Sequence, residues 1–347
     1  AGIPPEYNKS VRDFDIVTLD RLKRIEIEPD YETWKEYAYK KGVHASVMTY
    51  LAARKKDFYK IENAADGKHF VTARGWDDLS EMIKLYEENG LAVDEQLICQ
   101  YLQDARISKD FAIYYDLFNK YRSDYQVEKI LDGTVSESIV LRAERACMDE
   151  RLSLLGLIFD SVTAQLRTVC ERENILDLVT GQLKALKEKL KDVSGAAALL
   201  SEMIEAEREK LERGKQSSSI SPQAQRETRF MLEYLEEFRA AVMQSGTAQK
   251  DEFSVVRESF AQKVAELKGL AADGSRVLEN VFLFSEKAFA DGDEILIFVT
   301  ELTANYYSAR FIGRYGCDKY YMHNKQLQFD QRQQEIIKRM DEIQWTV

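Results

Sequence analysis

The sequence predicts a mostly α-helical protein, and three observations support this fold class. Apolar residues recur at helical spacing from Asp30 almost to the end of the chain. From Leu176 to Ile204 they form a longer seam with alternating intervals of three and four residues. The 347 residues include only 4 Pro and 16 Gly, which is few for an architecture with many turns.

The composition excludes several classes of protein. The chain has 60 Asp and Glu against 49 Lys and Arg, a formal charge of −11, which disfavours binding to nucleic acid. The four cysteines and three histidines have no paired or ligand-like spacing, so we expect neither disulfides nor a metal site. No apolar run approaches the roughly 20 residues of a membrane span, and the first residues do not read as a signal peptide. These features predict a cytoplasmic protein without a membrane partner.

Residues 1–29 are the only part of the sequence that predicts β structure. A Pro pair at 4–5 favours an extended or turning backbone. The alternating sequence RIEIE at 24–28 predicts a short strand that ends at Pro29. We therefore expect the chain to open in the last part of an α/β domain.

Residues 30–130 predict a compact bundle of four or five helices. The first runs from an Asp30 cap to Gly42, and the second lies in HASVMTYLAARKKDFY at 44–59. The connection IENAADGKHF at 61–70 is expected to turn at its Asp-Gly pair. Further helices are predicted from Thr72 through Tyr86, from Asp94 through Leu102, and from Ser108 or Lys109 past Tyr121.

The helix that follows Thr72 has an unusual residue in its first turn. Cations are normally kept away from a helix N-terminus, where the dipole is already positive, yet Arg74 lies there. An anion-binding role would explain this arginine, and a plain surface arginine is the alternative. Trp76, two residues later, is expected to pack beneath its helix.

The second half of the chain predicts long helices. The seam from Leu176 to Ile204 is interrupted by GKQSSSISPQ at 214–223, after which apolar stripes resume as far as Leu267. This pattern favours a long antiparallel coiled-coil hairpin over 176–272, with two helices of a compact bundle as the alternative. Residues 131–175 are expected to form connecting helices, and residues 273–347 a terminal helical segment.

Three stretches together resemble the C-terminal half of MoxR-type AAA+ ATPases, especially long members with a helical extension. They are PPEYNKSVRDFDIVTLDRLKRIEIEPD at 4–30, VTARGWDDLSEMIKLYE at 71–87 and VDEQLICQYLQDARISKDFAIYYDLFNKYR at 93–122. The resemblance implies that residues 1–29 end an AAA+ core and that residues 30–130 form its helical lid.

The resemblance also implies roles for two arginines. Arg21, in TLDRLKRI, matches the arginine finger that reaches the nucleotide of the neighbouring subunit, although Lys23 and Arg24 lie close by. The alternative for Arg21 is a solvated cation paired with Asp20 or Glu26. Arg74, in TARGW, matches the sensor 2 arginine that reaches the phosphates of its own subunit.

The chain departs from the family pattern at the nucleotide site. Ile3 stands where the family has a polar sensor 1 residue. No phosphate loop is present, since ERGKQSSS at 212–219 lacks the first glycine and the Ser or Thr after its lysine. No apolar strand ends in the Asp-Glu pair that holds magnesium, because ACMDE at 146–150 lies in helical sequence. ATP and Mg²⁺ would therefore require a nucleotide domain outside these residues.

The function implied by the resemblance is ATP hydrolysis that drives chaperone-like remodelling or maturation of partner proteins. The family forms ring-shaped homo-oligomers, expected to be hexameric, and often acts beside a protein with a von Willebrand factor A domain. Without the phosphate loop, the chain alone is expected to be inactive as an ATPase. The alternative is a non-catalytic helical scaffold or interaction protein that has lost the nucleotide site.

Overall fold

The structure is a computed structural model that describes residues 21, 28–64, 67–191, 195–217, 219–245, 252–289 and 292–325. The described residues are mostly helical and include one two-stranded sheet, so the predicted mostly α class is confirmed. Several sequence predictions lie outside the described residues. Among them are all but the last residue of the strand predicted at 24–28, the assignment of Ile3, and a terminal helix expected from QQEIIKRMDEI at 333–343.

Five helices and a β-hairpin form the N-terminal part. The helices are α1 (Tyr31–Lys41), α2 (Ala45–Ala53), α3 (Ala73–Glu88), α4 (Glu95–Tyr101) and α5 (Ala105–Asp124), and the strands are β1 (Lys60–Ala64) and β2 (Gly67–Val71). Their buried side chains form an N-terminal cluster around Tyr50, Trp76 and Phe111, whose rings contact one another. This cluster fixes the relative positions of the helices and the hairpin.

Local capping explains where several of these helices begin and end. Asp30, Thr72 and Asp94 each accept a hydrogen bond from a backbone N–H three residues ahead, as predicted. Gly42 ends α1 with φ +75°, a conformation that glycine adopts without strain. The predicted start of α5 at Ser108 or Lys109 was wrong, because Asp104 caps this helix and α5 begins at Ala105, three residues before Ser108.

The hairpin corrects the expectation that β structure is confined to the start of the chain. β1 and β2 pair antiparallel, with Lys60 opposite Val71 and Ala64 opposite Gly67. The backbone N–H of Phe70 also donates to the carbonyl of Gln103, 3.0 Å away, which attaches the hairpin to the segment after α4. The second predicted helix is correspondingly shorter, since α2 ends at Ala53 and the chain turns towards β1. KIENA has only two apolar residues, too weak an alternation to predict a strand.

The remaining described elements are eight helices and a short helical stretch at 318–325. The helices are α6 (Val127–Leu131), α7 (Glu137–Arg145), α8 (Met148–Lys189), α9 (Ala196–Gln216), α10 (Pro222–Ser245), α11 (Glu252–Ala288), α12 (Glu294–Ala304) and α13 (Tyr306–Tyr315). At about 1.5 Å per residue, α8 with its 42 residues is about 63 Å long. The two longest helices, α8 and α11, each contribute residues to two separate hydrophobic clusters.

Two further clusters hold these helices together. The central cluster joins the first part of α8 and the second part of α11 to the shorter helices, and includes Phe118, Ile130, Leu166, Phe282 and Phe311. The distal cluster joins the other ends of α8 and α11 to α9 and α10, and includes Leu176, Leu200, Leu235, Phe238 and Val256. The two clusters meet within continuous helices, between Cys170 and Ile175 on α8 and between Leu267 and Ala271 on α11.

The apolar seam from Leu176 to Ile204 does not lie on one helix. α8 ends at Lys189, Gly195 has φ +109°, and α9 begins at Ala196. Arg239 of α10 donates to Ser201 of α9, and Arg208 of α9 pairs with Glu236, so α9 and α10 are antiparallel. In place of a hairpin of two long arms, the structure has four helical segments around one core. The alternative of a compact bundle describes this region better.

Among the described residues, α8 is also the one helix long and apolar enough, by length and composition, to cross a membrane. Half of its most apolar window is buried inside the protein. The position of α8 between the central cluster and the distal cluster accounts for this apolar character.

Candidate functional site

The first turn of α3 is held rigidly by the three residues around Arg74. The Thr72 hydroxyl accepts from the backbone N–H of Gly75 at 3.1 Å and caps the helix. A Cβ at Gly75 would lie 2.8 Å from the carbonyl oxygen of Tyr101, so only glycine permits this approach of α3 to α4. Trp76 is fully buried, as predicted, and its indole N–H donates to the carbonyl of Asp57 at 3.2 Å. The cap, the close approach to Tyr101 and the hydrogen bond to Asp57 together fix the position of this helix start.

The guanidinium of Arg74 points into solvent from this fixed position. Its side chain is 89% exposed, and its one described ion pair is with Asp78 at 3.4 Å on the next turn. An exposed pair of this kind contributes little to stability. The first turn of α3 contains no acidic residue, so the helix dipole and the arginine both favour an approaching anion.

Arg21 is an exposed residue in a helical position. Residues 1–20 and 22–27 on either side of it lie outside the described part of the chain. The structure therefore describes the surroundings of Arg74 but not those of Arg21. The role of Arg21 at a nucleotide stays a prediction. Asn8, Lys9 and Arg12, which the resemblance places in a loop near the nucleotide edge with plain solvation as the alternative, likewise lie outside the described residues.

A groove of about 910 Å³, which sequence reasoning missed, lies where the N-terminal cluster meets the central cluster. Its walls come from α2, α5, α8 and α12, with the loop that follows α1. The helices α2 and α8 approach closely at its base, because a Cβ at Gly156 would overlap the side chain of Thr49. A Cβ at Gly42 would similarly overlap the guanidinium of Arg167. The end of the Arg167 side chain can move aside, so it is the lack of a side chain at Gly156 that permits the close approach of α2 and α8.

Several charged groups on the walls of the groove already have partners. Glu301 accepts hydrogen bonds from the ammonium of Lys35 and the hydroxyl of Tyr39, which links α12 to α1. Arg167 donates to Glu171 at 2.8 Å. Burial, reinforced by the nearby Glu301, strongly raises the pKa of Tyr39, so this phenol stays protonated and donates.

Three carboxylates on the groove walls, those of Asp110, Asp149 and Asp160, have no partner among the described residues. The surroundings of Asp160 set it apart from the other two. It lies on α8, lines the groove and is partly buried. Its carboxylate has no hydrogen-bond or ion-pair partner within the described parts of the chain. Burial raises the pKa of Asp160 above its usual value, and the nearby His44, Arg122 and Lys84 oppose this shift only in part. The surroundings therefore penalise the ionised carboxylate.

One signal in the sequence could have indicated this site. In SLLGLIFDSV at 153–162, a glycine and an aspartate interrupt an otherwise apolar run, four residues apart and hence on one helix face. A small residue on a core helix permits close packing, and an acidic residue beside it is costly unless it has a partner. Which helices would form the opposite wall could not be read from the pattern.

The described ranges contain no group of three or more His, Cys, Asp or Glu residues arranged to hold a metal ion. Searches with family models, among curated proteins and among solved structures each found no match to this chain.

Proposed function

We propose that this chain is the C-terminal part of a MoxR-type AAA+ ATPase, with Arg21 as arginine finger and Arg74 as sensor 2. ATP hydrolysis in the assembled ring would drive chaperone-like remodelling or maturation of partner proteins. The observation that supports this function best is the presentation of Arg74. Its guanidinium is exposed at the start of a helix whose position is fixed by Thr72, Gly75 and Trp76.

The residues at this helix start suit one part of a nucleotide site. A guanidinium remains charged and can grip phosphate oxygens in a fork, and a helix N-terminus favours the same anion. The chain has no phosphate loop, so the residues that cradle ATP and hold Mg²⁺ would come from a separate nucleotide domain. Bound Mg²⁺ would neutralise charge on the phosphates, while Arg74 would orient the terminal phosphate.

The test uses this chain joined in frame to its upstream coding sequence, which must supply a GxxxxGK[ST] segment. ATP hydrolysis is measured for the parent protein and for Arg74→Ala, Arg74→Lys and Arg21→Ala. We expect Arg74→Ala to slow hydrolysis about 10- to 100-fold, the value of a charge-assisted hydrogen bond. We expect Arg21→Ala to slow it about 1000-fold while ATP still binds. Arg74→Lys should rescue little, because lysine lacks the fork.

Arg276→Ala provides the matched control. Arg276 is an exposed arginine on α11 that pairs with Asp273 one turn earlier at 2.9 Å, much as Arg74 pairs with Asp78. Its substitution should leave hydrolysis unchanged. An upstream sequence without the phosphate loop, or full activity of Arg74→Ala, would refute the ATPase proposal.

The second candidate, a non-catalytic helical scaffold, is favoured by the distal cluster. α9 and α10 pack on the ends of α8 and α11 through a core of their own, away from the helix that presents Arg74. A surface built in this way can bind a partner without nucleotide chemistry. An upstream start codon with no phosphate loop would support this alternative.

A further inference from the structure

The groove between α2, α5, α8 and α12 has the size and shape of a ligand site. Its volume of about 910 Å³ lies at the upper end of the roughly 300–1,000 Å³ typical of small-molecule pockets. Such pockets occur preferentially where separately packed units meet, and this groove lies between the N-terminal cluster and the central cluster. Apolar surface predominates over polar surface on its walls.

We propose that this groove binds an organic cation, a protonated amine or guanidinium carried on an apolar body, with Asp160 as its counter-ion. This site goes beyond the nucleotide chemistry proposed above and does not depend on it. The same chemistry could be offered by a small amine or by a Lys or Arg side chain of a peptide.

The first argument is the unsatisfied carboxylate. A carboxylate withdrawn from bulk water, even in part, is stabilised by hydrogen bonds or a cation, because removing an isolated charge from water is costly. Asp160 lines the groove without such a partner among the described residues. A ligand cation placed against it would supply the missing interaction while its apolar body covered the rest of the groove.

The second argument is that the protein's own charges do not fill this role. The charged groups that act on Asp160 most strongly are His44, Arg122, Lys84 and Glu87, and none of them hydrogen-bonds to it. His44 is engaged by Ser46 and Glu87.

The arginines on the groove walls are also engaged or lie at its rim. Arg167 pairs with Glu171, and Arg54 lies over the ring of Tyr50, 5.0 Å from its centroid. Arg226, at the rim on α10, is exposed. No wall cation is therefore paired with Asp160.

The third argument is the aromatic lining. Tyr39, Tyr114, Phe159 and Phe298 all line the groove, and the rings of Tyr39 and Phe159 are 5.6 Å apart. The faces of aromatic rings attract ammonium and guanidinium groups, and their area also covers an apolar body. Aromatic rings in the same groove as an unpaired carboxylate favour a cation on an apolar body over a neutral ligand of the same shape.

Calorimetric titration of the 347-residue chain tests this site. The small-molecule arm compares 4-phenylbutylammonium with neutral 4-phenylbutanol of the same shape. The peptide arm compares acetylated and amidated Leu-Lys-Leu with the same peptide carrying norleucine in place of lysine. We expect the cation to bind at least about tenfold more tightly than its neutral counterpart in one arm or both, which identifies the source.

Asp160→Asn should abolish this preference for the cation while keeping the shape of the groove. Binding should also strengthen as the pH rises through the raised pKa of Asp160, because only the ionised carboxylate attracts the cation. Below the raised pKa of Asp160, binding should release a proton, measurable in buffers with different heats of ionisation. Asp149→Asn is the matched control, since Asp149 is an exposed carboxylate at the rim of the same groove.

Asp160→Asn is expected to fold, because the raised pKa means that the ionised carboxylate destabilises the folded state. The folded protein binds a proton more tightly than the unfolded chain, so this contribution favours folding at low pH and is lost as the pH rises through the raised pKa. A second variant, Ala164→Trp, keeps Asp160 and fills the groove from an exposed wall position, and should block binding.

Three results would overturn the proposed site. One is equal affinity for the cationic and neutral ligands in both arms. Another is unchanged cation binding by Asp160→Asn or by Ala164→Trp. The third is no binding of any cation at about 1 mM, the weak limit of specific recognition.

Discussion

At the scale of single residues, glycines decide how closely the helices approach. Gly75 and Gly156 both lie inside helices, where glycine is normally unfavourable by about 1 kcal/mol relative to alanine. Both are needed because a Cβ would meet a neighbouring element, the carbonyl of Tyr101 in one case and the side chain of Thr49 in the other. Gly269 on α11 has nothing within 4 Å of its Cβ position and provides a comparison.

Gly75→Ala should lower the free energy of unfolding by about 1–3 kcal/mol, because the new methyl group overlaps a backbone oxygen that cannot move aside. Gly269→Ala should raise it by about 0.5–1 kcal/mol through helix propensity alone. Both values are measured by urea denaturation followed by circular dichroism. Equal effects of the two substitutions would show that the contact with Tyr101 is not restrictive.

At the scale of elements, α8 connects most of the molecule, and one buried carboxylate attaches α13 to it. Glu173 is 2% exposed and accepts from Arg310 at 3.2 Å and from Arg314 at 3.0 Å. It also accepts from the hydroxyl of Tyr315. Burial and this hydrogen bond raise the pKa of Tyr315 to about 12. The terminal turn of α13 is thus held by charge as well as by apolar packing.

Glu173→Gln should lower the free energy of unfolding by about 3 kcal/mol, because it leaves two arginines without their buried counter-charge. Glu171→Gln is the matched control two residues earlier, where the carboxylate is 31% exposed and pairs only with Arg167. That substitution should cost less than about 1 kcal/mol. Chemical denaturation of both variants measures the difference, and similar values would contradict a special role for Glu173.

At the scale of the whole molecule, the distal cluster is separable from the other two. Its residues come only from α8–α11, while the N-terminal cluster uses none of these helices. Arg172, Leu176 and Leu267 line one small cavity. The points at which α8 enters the distal cluster and α11 leaves it therefore lie close together. A short linker could therefore close the chain after removal of the distal part.

Replacing residues 176–266 with a short glycine-rich linker should leave the N-terminal cluster and the central cluster folded. Trp34 and Trp76 both belong to the N-terminal cluster, so their fluorescence reports its state. Trp345→Phe in both proteins removes the third tryptophan from the measurement. We expect an unchanged emission spectrum and a cooperative unfolding transition. A shift of the emission to that of the unfolded chain would mean that the distal part is required for the whole fold.

The sequence predicted those features that depend on neighbouring residues. The caps at Asp30, Thr72 and Asp94 were found because each bond spans three residues. The burial of Trp76 followed from its position on the apolar face of an amphipathic helix. The hairpin was missed because its strands are short and weakly alternating, and because its attachment to Gln103 is distant in sequence.

The sequence by itself thus determined the helical class, most helix starts and the burial of Trp76, all of which follow from periodicity and local hydrogen bonds. Tertiary structure decided that the seam from Leu176 to Ile204 is divided between α8 and α9, because the interval pattern is the same on one helix or two. It also decided that Asp160 faces a groove, because the opposite walls come from helices far away in the chain. Contacts between segments that are distant in the chain leave no repeating pattern in the sequence. Only the tertiary structure therefore shows them.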